Sequence, residues 1–80
     1  LKQHIPTLGM FAHIEQLVGE RIAQLRAQKG WNQEELAHRA GLNRAHLYRL
    51  EKGLQSMTLK TLKTLADTLG VCCVDLVKDI

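Results

Sequence analysis

Glycines at positions 30, 41, 53 and 70 divide the chain into segments whose apolar residues recur three and four positions apart. That period belongs to helices, because a strand facing one core needs alternation of two. The single proline, Pro6, lies ahead of these segments, and runs of β-branched residues are absent. The chain therefore reads all-α, as five short helices around one core. Its 80 residues allow one domain, and a chain of this size buries only about 60% of its unfolded surface.

The segments can be placed individually. Phe11, Ile14, Leu17, Val18, Ile22 and Leu25 form a stripe that a helix over about 11–28 would bury, with Lys29 and Gly30 at its end. Gly19 interrupts that stripe at a cost of about 1 kcal/mol relative to alanine, which suggests that another helix crosses closely there. Asn32 is a cap residue with Glu35 three positions on, the spacing of a capping box. Trp31 just before it reads as a hydrophobic staple. Leu36, Ala37 and Ala40 face inward on this second helix, and Gly41 stops it. Asn43 caps a third helix from Arg44 to Lys52, with Leu47 and Leu50 on its inner face and Gly53 at its end. Thr58 caps a fourth, with Leu59, Leu62, Leu65, Ala66 and Leu69 as its buried set. Val71 to Ile80 reads as a fifth, with Val74, Val77, Cys73 and Leu76 inward. Residues 1–10 form an N-terminal arm, a vector remnant or an extension of the first helix, and 11–80 the folded domain. The start at Leu1 instead of Met suggests that native residues precede it.

Several function classes are excluded at this level. No apolar run approaches the ~20 residues of a membrane span, and the first residues lack the pattern of a secretory signal. Cys72 and Cys73 are adjacent, a spacing unsuited to a stabilising disulfide or to zinc ligation, so a reducing, cytoplasmic setting is expected. His4, His13, His38 and His46 share no ligand spacing, and no metal or other cofactor is expected. A phosphate-cradling glycine loop, an H-E-x-x-H motif and a credible nucleophile–base pair are all missing. The sequence does not read as an enzyme.

Charge is unevenly distributed. Between Arg39 and Lys63 six cations (Arg39, Arg44, Arg49, Lys52, Lys60, Lys63) face one anion, Glu51, giving +5 in 25 residues and leaving −2 for the rest of a chain whose total is +3. A solvated helix face and a phosphate-binding surface both account for such a patch. Two short helices joined by Gly41-Leu42-Asn43 add a helix-turn-helix signature, in which glycine supplies a left-handed turn that a Cβ disfavours by about 1–2 kcal/mol. Tight helix pairs also occur in domains that bind no nucleic acid.

Gln33-Glu34-Glu35-Leu36-Ala37, Ala40-Gly41-Leu42-Asn43-Arg44, Leu50-Glu51-Lys52-Gly53 and Leu62 to Leu69 with Gly70-Val71 together resemble the phage-repressor and Cro-like helix-turn-helix (XRE) family. The match runs unbroken from about Val18 to Leu76. The resemblance implies a five-helix repressor-like DNA-binding domain that works as a dimer with its third helix in the major groove. It implies that Gln33 sits against a phosphate and buttresses the recognition helix. Arg44, Ala45 and Arg49 match the positions that reach base edges, flanked by Asn43, His46 and Tyr48. Arg26 and Glu51 match an ion pair tying the first helix to the end of the third. Met57 stands where many members have proline, and Cys72 where a serine often caps the fifth helix.

The residue chemistry suits those roles. An arginine fork can donate two hydrogen bonds to guanine O6 and N7, worth about 1–3 kcal/mol of discrimination. Arg44 and Arg49 are separated by about 7.5 Å of helical rise, enough to address different base pairs, while Ala45 suits a thymine methyl. Lys52, Gln55 and Lys60 follow the recognition helix and suit backbone contacts that set register. Tyr48 either meets the nucleic acid or covers the helix surface. The expected function is a cytoplasmic, sequence-specific transcriptional regulator that binds double-stranded DNA at a pseudo-palindromic operator as a homodimer. Alternatives are an antitoxin with a toxin as protein partner and autoregulatory DNA binding, or a restriction–modification controller.

Overall fold

Each of the four glycines ends a helix in the left-handed conformation, at φ between 73° and 76°. In a computed structural model, which describes residues 10–80 and their side chains from Ile14 onward, five helices follow in order. They are α1 (Met10–Gln28), α2 (Gln33–Ala40), α3 (Arg44–Lys52), α4 (Leu59–Leu69) and α5 (Cys73–Val77). The first four close with the same paired bonds. After α2, for example, Gly41 N–H donates to His38 O (3.2 Å) and Leu42 N–H to Ala37 O (2.9 Å). Such a pair satisfies carbonyls that a helix end leaves open and turns the chain sharply. The start of the chain, read as an arm or helix extension, and the side chain of Phe11 lie outside the described residues.

Caps at the other ends match the sequence pattern with one exception. Asn32, Asn43 and Thr58 each accept from the backbone N–H three residues on. The expected capping box at α2 is only half made: Glu35 N–H donates to Asn32 Oδ1 (2.8 Å), but the Glu35 carboxylate takes Arg39 Nε at 2.6 Å instead. A charged donor one turn away outcompetes a neutral backbone N–H. Cys72 N–H donates to the Asp75 carboxylate (2.9 Å), so the start of α5 is held from its third residue.

All five helices contribute to one core: Val18 and Ile22, then Leu36, Ala37 and Ala40, Leu47 and Leu50, Leu65, Ala66 and Leu69, and finally Leu76. Trp31, Leu42, Met57 and Val71 close its edges from the loops. Burying one such leucine or isoleucine contributes about 1.5–3 kcal/mol. Trp31 is half-buried against the core, and the Arg39 guanidinium lies over its ring at 4.4 Å. The helix expected to cross at Gly19 is α3. A Cβ there would stand 2.5 Å from the Leu50 and Glu51 carbonyl oxygens, so α1 and α3 approach backbone to backbone.

Four apolar residues expected inside are not. Leu59 is 83% exposed and Ile14 47%. Leu59 opens α4 and Ile14 lies in the second turn of α1; both fall on the apolar side, but periodicity does not say whether a neighbour reaches far enough to cover that end of the helix. On α5, Val74 is 58% exposed and Val77 36%, while Leu76 is fully buried with Cys73 half-buried beside it. Residues 73 and 76 share one side of this short helix and 74 and 77 another, so spacing alone could not choose. The helix is also shorter than 71–80, since Val71 and Cys72 form its approach and Lys78 is already extended.

Candidate nucleic-acid interface

Five residues of α3 share the side turned away from the core. At 3.6 residues per turn, positions 44, 45, 48, 49 and 52 fall within an arc of about 140°. Arg44, Ala45, Tyr48, Arg49 and Lys52 are all exposed there, while Leu47 and Leu50 are buried on the opposite side. Asn43 starts the helix by accepting from His46 N–H at 2.7 Å, which leaves the Asn43 NH2 group for a further partner. His46 is half-buried beside this face.

What holds α3 in place is a charge inside the molecule. Glu51 is only 6% exposed. Its carboxylate takes Arg26 Nε at 2.8 Å and Nη2 at 3.1 Å, and Gln33 Nε2 donates to the same group at 2.9 Å. Arg26 Nη1 also donates to Trp31 O at 2.9 Å. One carboxylate thus joins the end of α3 to α1 and α2, with bidentate geometry on the arginine. Such a pair gains little net stability over an apolar substitute, but it sets the helix orientation because breaking it strands charge. The expected Arg26–Glu51 pair is present. Gln33 joins it, a contact that no local pattern announces across 18 residues of sequence.

Gln33 stands between two cations of the exposed face. With Asn32 and Arg44 it borders a cleft at the start of α2, and with Glu51 and Lys52 it borders a second. Arg49 is steadied on its own face: its Nε donates to Gln55 Oε1 at 2.9 Å. The Lys52 ammonium lies 5.8 Å from the Tyr48 ring centre. Lys60 belongs to α4, and no side-chain hydrogen bond or ion pair among the described residues joins it to α3.

The basic stretch is narrower in three dimensions than in sequence. Arg39 is engaged by Glu35 and stacked on Trp31. Lys63 gives both carboxylate oxygens of Asp67 a hydrogen bond (2.7 and 2.8 Å), and that bond holds its ammonium above the usual lysine range. Arg44, Arg49, Lys52 and Lys60 form no ion pair among the described residues. Three of these four lie on the α3 face. Among the described residues no group of His, Cys, Asp or Glu is arranged to hold a metal ion, and no helix is long and apolar enough to cross a membrane.

Comparison with known proteins agrees with this fold. A family model described as helix-turn-helix matches residues 22–72. An uncharacterized HTH-type transcriptional regulator, y4dJ of Sinorhizobium fredii, is 44% identical over 64 residues, covering 80% of this chain and 83% of its own. Among solved structures, the restriction-modification controller protein C.AhdI from Aeromonas hydrophila superposes with a TM-score of 0.75 at 32% identity, covering 78% of this chain and 94% of its own. SinR, a master regulator for biofilm formation solved in complex with DNA, gives 0.73 at 32% identity, covering 76% and 98%.

Proposed function

Because this chain belongs to the helix-turn-helix family, whose relatives are transcriptional regulators and not enzymes, we propose that it binds a pseudo-palindromic DNA operator as a homodimer and reads it with α3. The observation that carries this reading is the exposed face of Arg44, Ala45, Tyr48, Arg49 and Lys52 on a helix anchored through Glu51. A helix of this width enters the major groove of B-DNA. Arg44 and Arg49 then reach guanine edges on different base pairs, and Ala45 packs against a thymine methyl. Gln33, Asn43, His46 and Tyr48 flank them, and Lys52, Gln55 and Lys60 meet the phosphate backbone. One such helix reads only a few base pairs, so specificity requires two copies, with half-sites about one helical turn, ~34 Å, apart.

The roles of Arg49 and Lys52 are separable by experiment. Arg49→Ala should weaken binding to the preferred site by about 1–3 kcal/mol and relax preference at one base position. Lys52→Ala should leave the preferred sequence unchanged and reduce the salt dependence of log K by about one. Binding measured across salt concentrations and single-base variants of the site checks both. Equal loss on every sequence for Arg49→Ala would make it a phosphate contact.

A further inference from the structure

Arg49 is tied to the loop that follows it by both its backbone and its side chain. Gly53 turns the chain back in the left-handed conformation (φ 73°), and Leu54 N–H returns to the Arg49 carbonyl at 2.9 Å. One residue on, Gln55 reaches the Arg49 side chain, where Nε donates to Oε1 at 2.9 Å. A guanidinium has donors and no acceptor, so the amide atom that faces it is the oxygen. The residues after Gln55 hold the loop from its other side. Ser56 Oγ donates to Glu15 Oε2 on α1 at 3.2 Å, and Met57 packs against the core. Gln55 therefore stands on a loop fixed at both flanks, while its bond to Arg49 lies open on the surface.

That bond restricts how Arg49 can be used. A guanidinium presents parallel donors along two edges, Nε with one terminal nitrogen, or the two terminal nitrogens together. Gln55 occupies Nε, which breaks the first edge and leaves the second for a bidentate acceptor. Guanine O6 and N7 are such an acceptor in the major groove. The partner is an amide, so it orients the arginine without neutralising it, and Arg49 has no ion pair among the described residues. A carboxylate in the same place would offset the charge that attracts DNA. With Oε1 given to Arg49, the Gln55 NH2 group is left for a phosphate oxygen. We propose that Gln55 is a positioning residue that sets base preference through Arg49: Oε1 presents the terminal fork to guanine, and the NH2 group ties the same amide to the DNA backbone. Docking on phosphate and reading a base are thereby joined in one side chain. The inference deepens the role given to Arg49 above and rests on it. Holding a long side chain in advance lessens the ordering cost of binding, by a factor of about three to ten for the base that the held geometry fits.

Gln55→Met keeps the length of the side chain and removes the amide, and it tests this in the 80-residue chain. Binding is measured on the site that the wild type selects and on variants of that site with each base at every position. Urea unfolding confirms that the variants remain folded, as expected for an exposed loop residue. Gln55→Met should reduce the preference for guanine by about three- to tenfold at the position whose preference Arg49→Ala relaxes. Preferences at other positions should stay as they are. In the Arg49→Ala background, Gln55→Met should weaken binding to every sequence equally, through the lost phosphate contact alone. Without DNA, the Arg49 Nε–H should exchange with water faster in Gln55→Met than in the wild type by NMR. A uniform loss on every base with Arg49 in place, or unchanged Nε–H exchange, overturns the role of Gln55 while leaving that of Arg49 standing. An Arg49→Ala variant that relaxes no base position overturns the reading of Arg49 itself.

Discussion

Glu51 is the residue on which the candidate interface turns, since its carboxylate is the shared acceptor for Arg26 on α1 and Gln33 on α2. Removing it strands the Arg26 guanidinium, whose side chain keeps 19% of its exposure. Glu51→Ala should therefore destabilise the fold by about 3 kcal/mol, toward the lower end of the range for broken buried pairs because water still reaches the arginine. Urea unfolding measures this directly, and a loss under ~1 kcal/mol would mean that the network is ornamental. The Arg26–Glu51 pair was legible through the family pattern. That Gln33 buttresses α3 was legible in the same way, though not that Glu51 is its acceptor; Gln55's bond to Arg49 was not legible, because contacts between a loop residue and another element leave no period in a sequence. Arg39 and Lys63 misled in the other direction. They count as basic patch in one dimension, yet Glu35, Trp31 and Asp67 engage them.

At the scale of the elements, helix existence and helix ends were readable because they are local. Glycine stops, Asn and Thr caps and three–four spacing all act within a few residues of one another. Which side of a short helix is covered is not local, and that is where Val74, Val77, Leu59 and Ile14 departed from expectation. The two glycines flanking α3 make a test of how tightly that helix is seated. Gly41 has φ 73° and open space where a Cβ would go. Gly53 has the same φ, but a Cβ there would come within 2.7 Å of the Gln16 backbone. Gly41→Ala should cost about 1–2 kcal/mol from the left-handed backbone alone. Gly53→Ala should cost at least ~1 kcal/mol more, since α1 must also shift and overpacking of this kind typically costs 1–3 kcal/mol. Thermal or urea unfolding of the two variants decides it, and equal losses would show that α1 is not packed tightly against the end of α3.

For the whole molecule, the division of labour is spatial. The core draws on all five helices, the buried carboxylate orients α3, and Arg44, Arg49 and Lys52, without an ion pair among the described residues, share the face that α3 turns outward. Family and fold were legible because capping, turn and core residues recur in an order that few arrangements satisfy. Operator sequence was not legible, because base preference depends on how two copies present their side chains to DNA, and one chain's sequence encodes that only through an interface it does not display. The central claim is that two copies read one symmetric site. It is tested most directly by selecting binding sites for the wild-type chain from a random double-stranded DNA pool at near-physiological salt. The expected result is an enriched inverted repeat with half-sites about one helical turn apart, ~10 base pairs between centres. Salt-sensitive binding without enrichment, or a single unrepeated half-site, would contradict it.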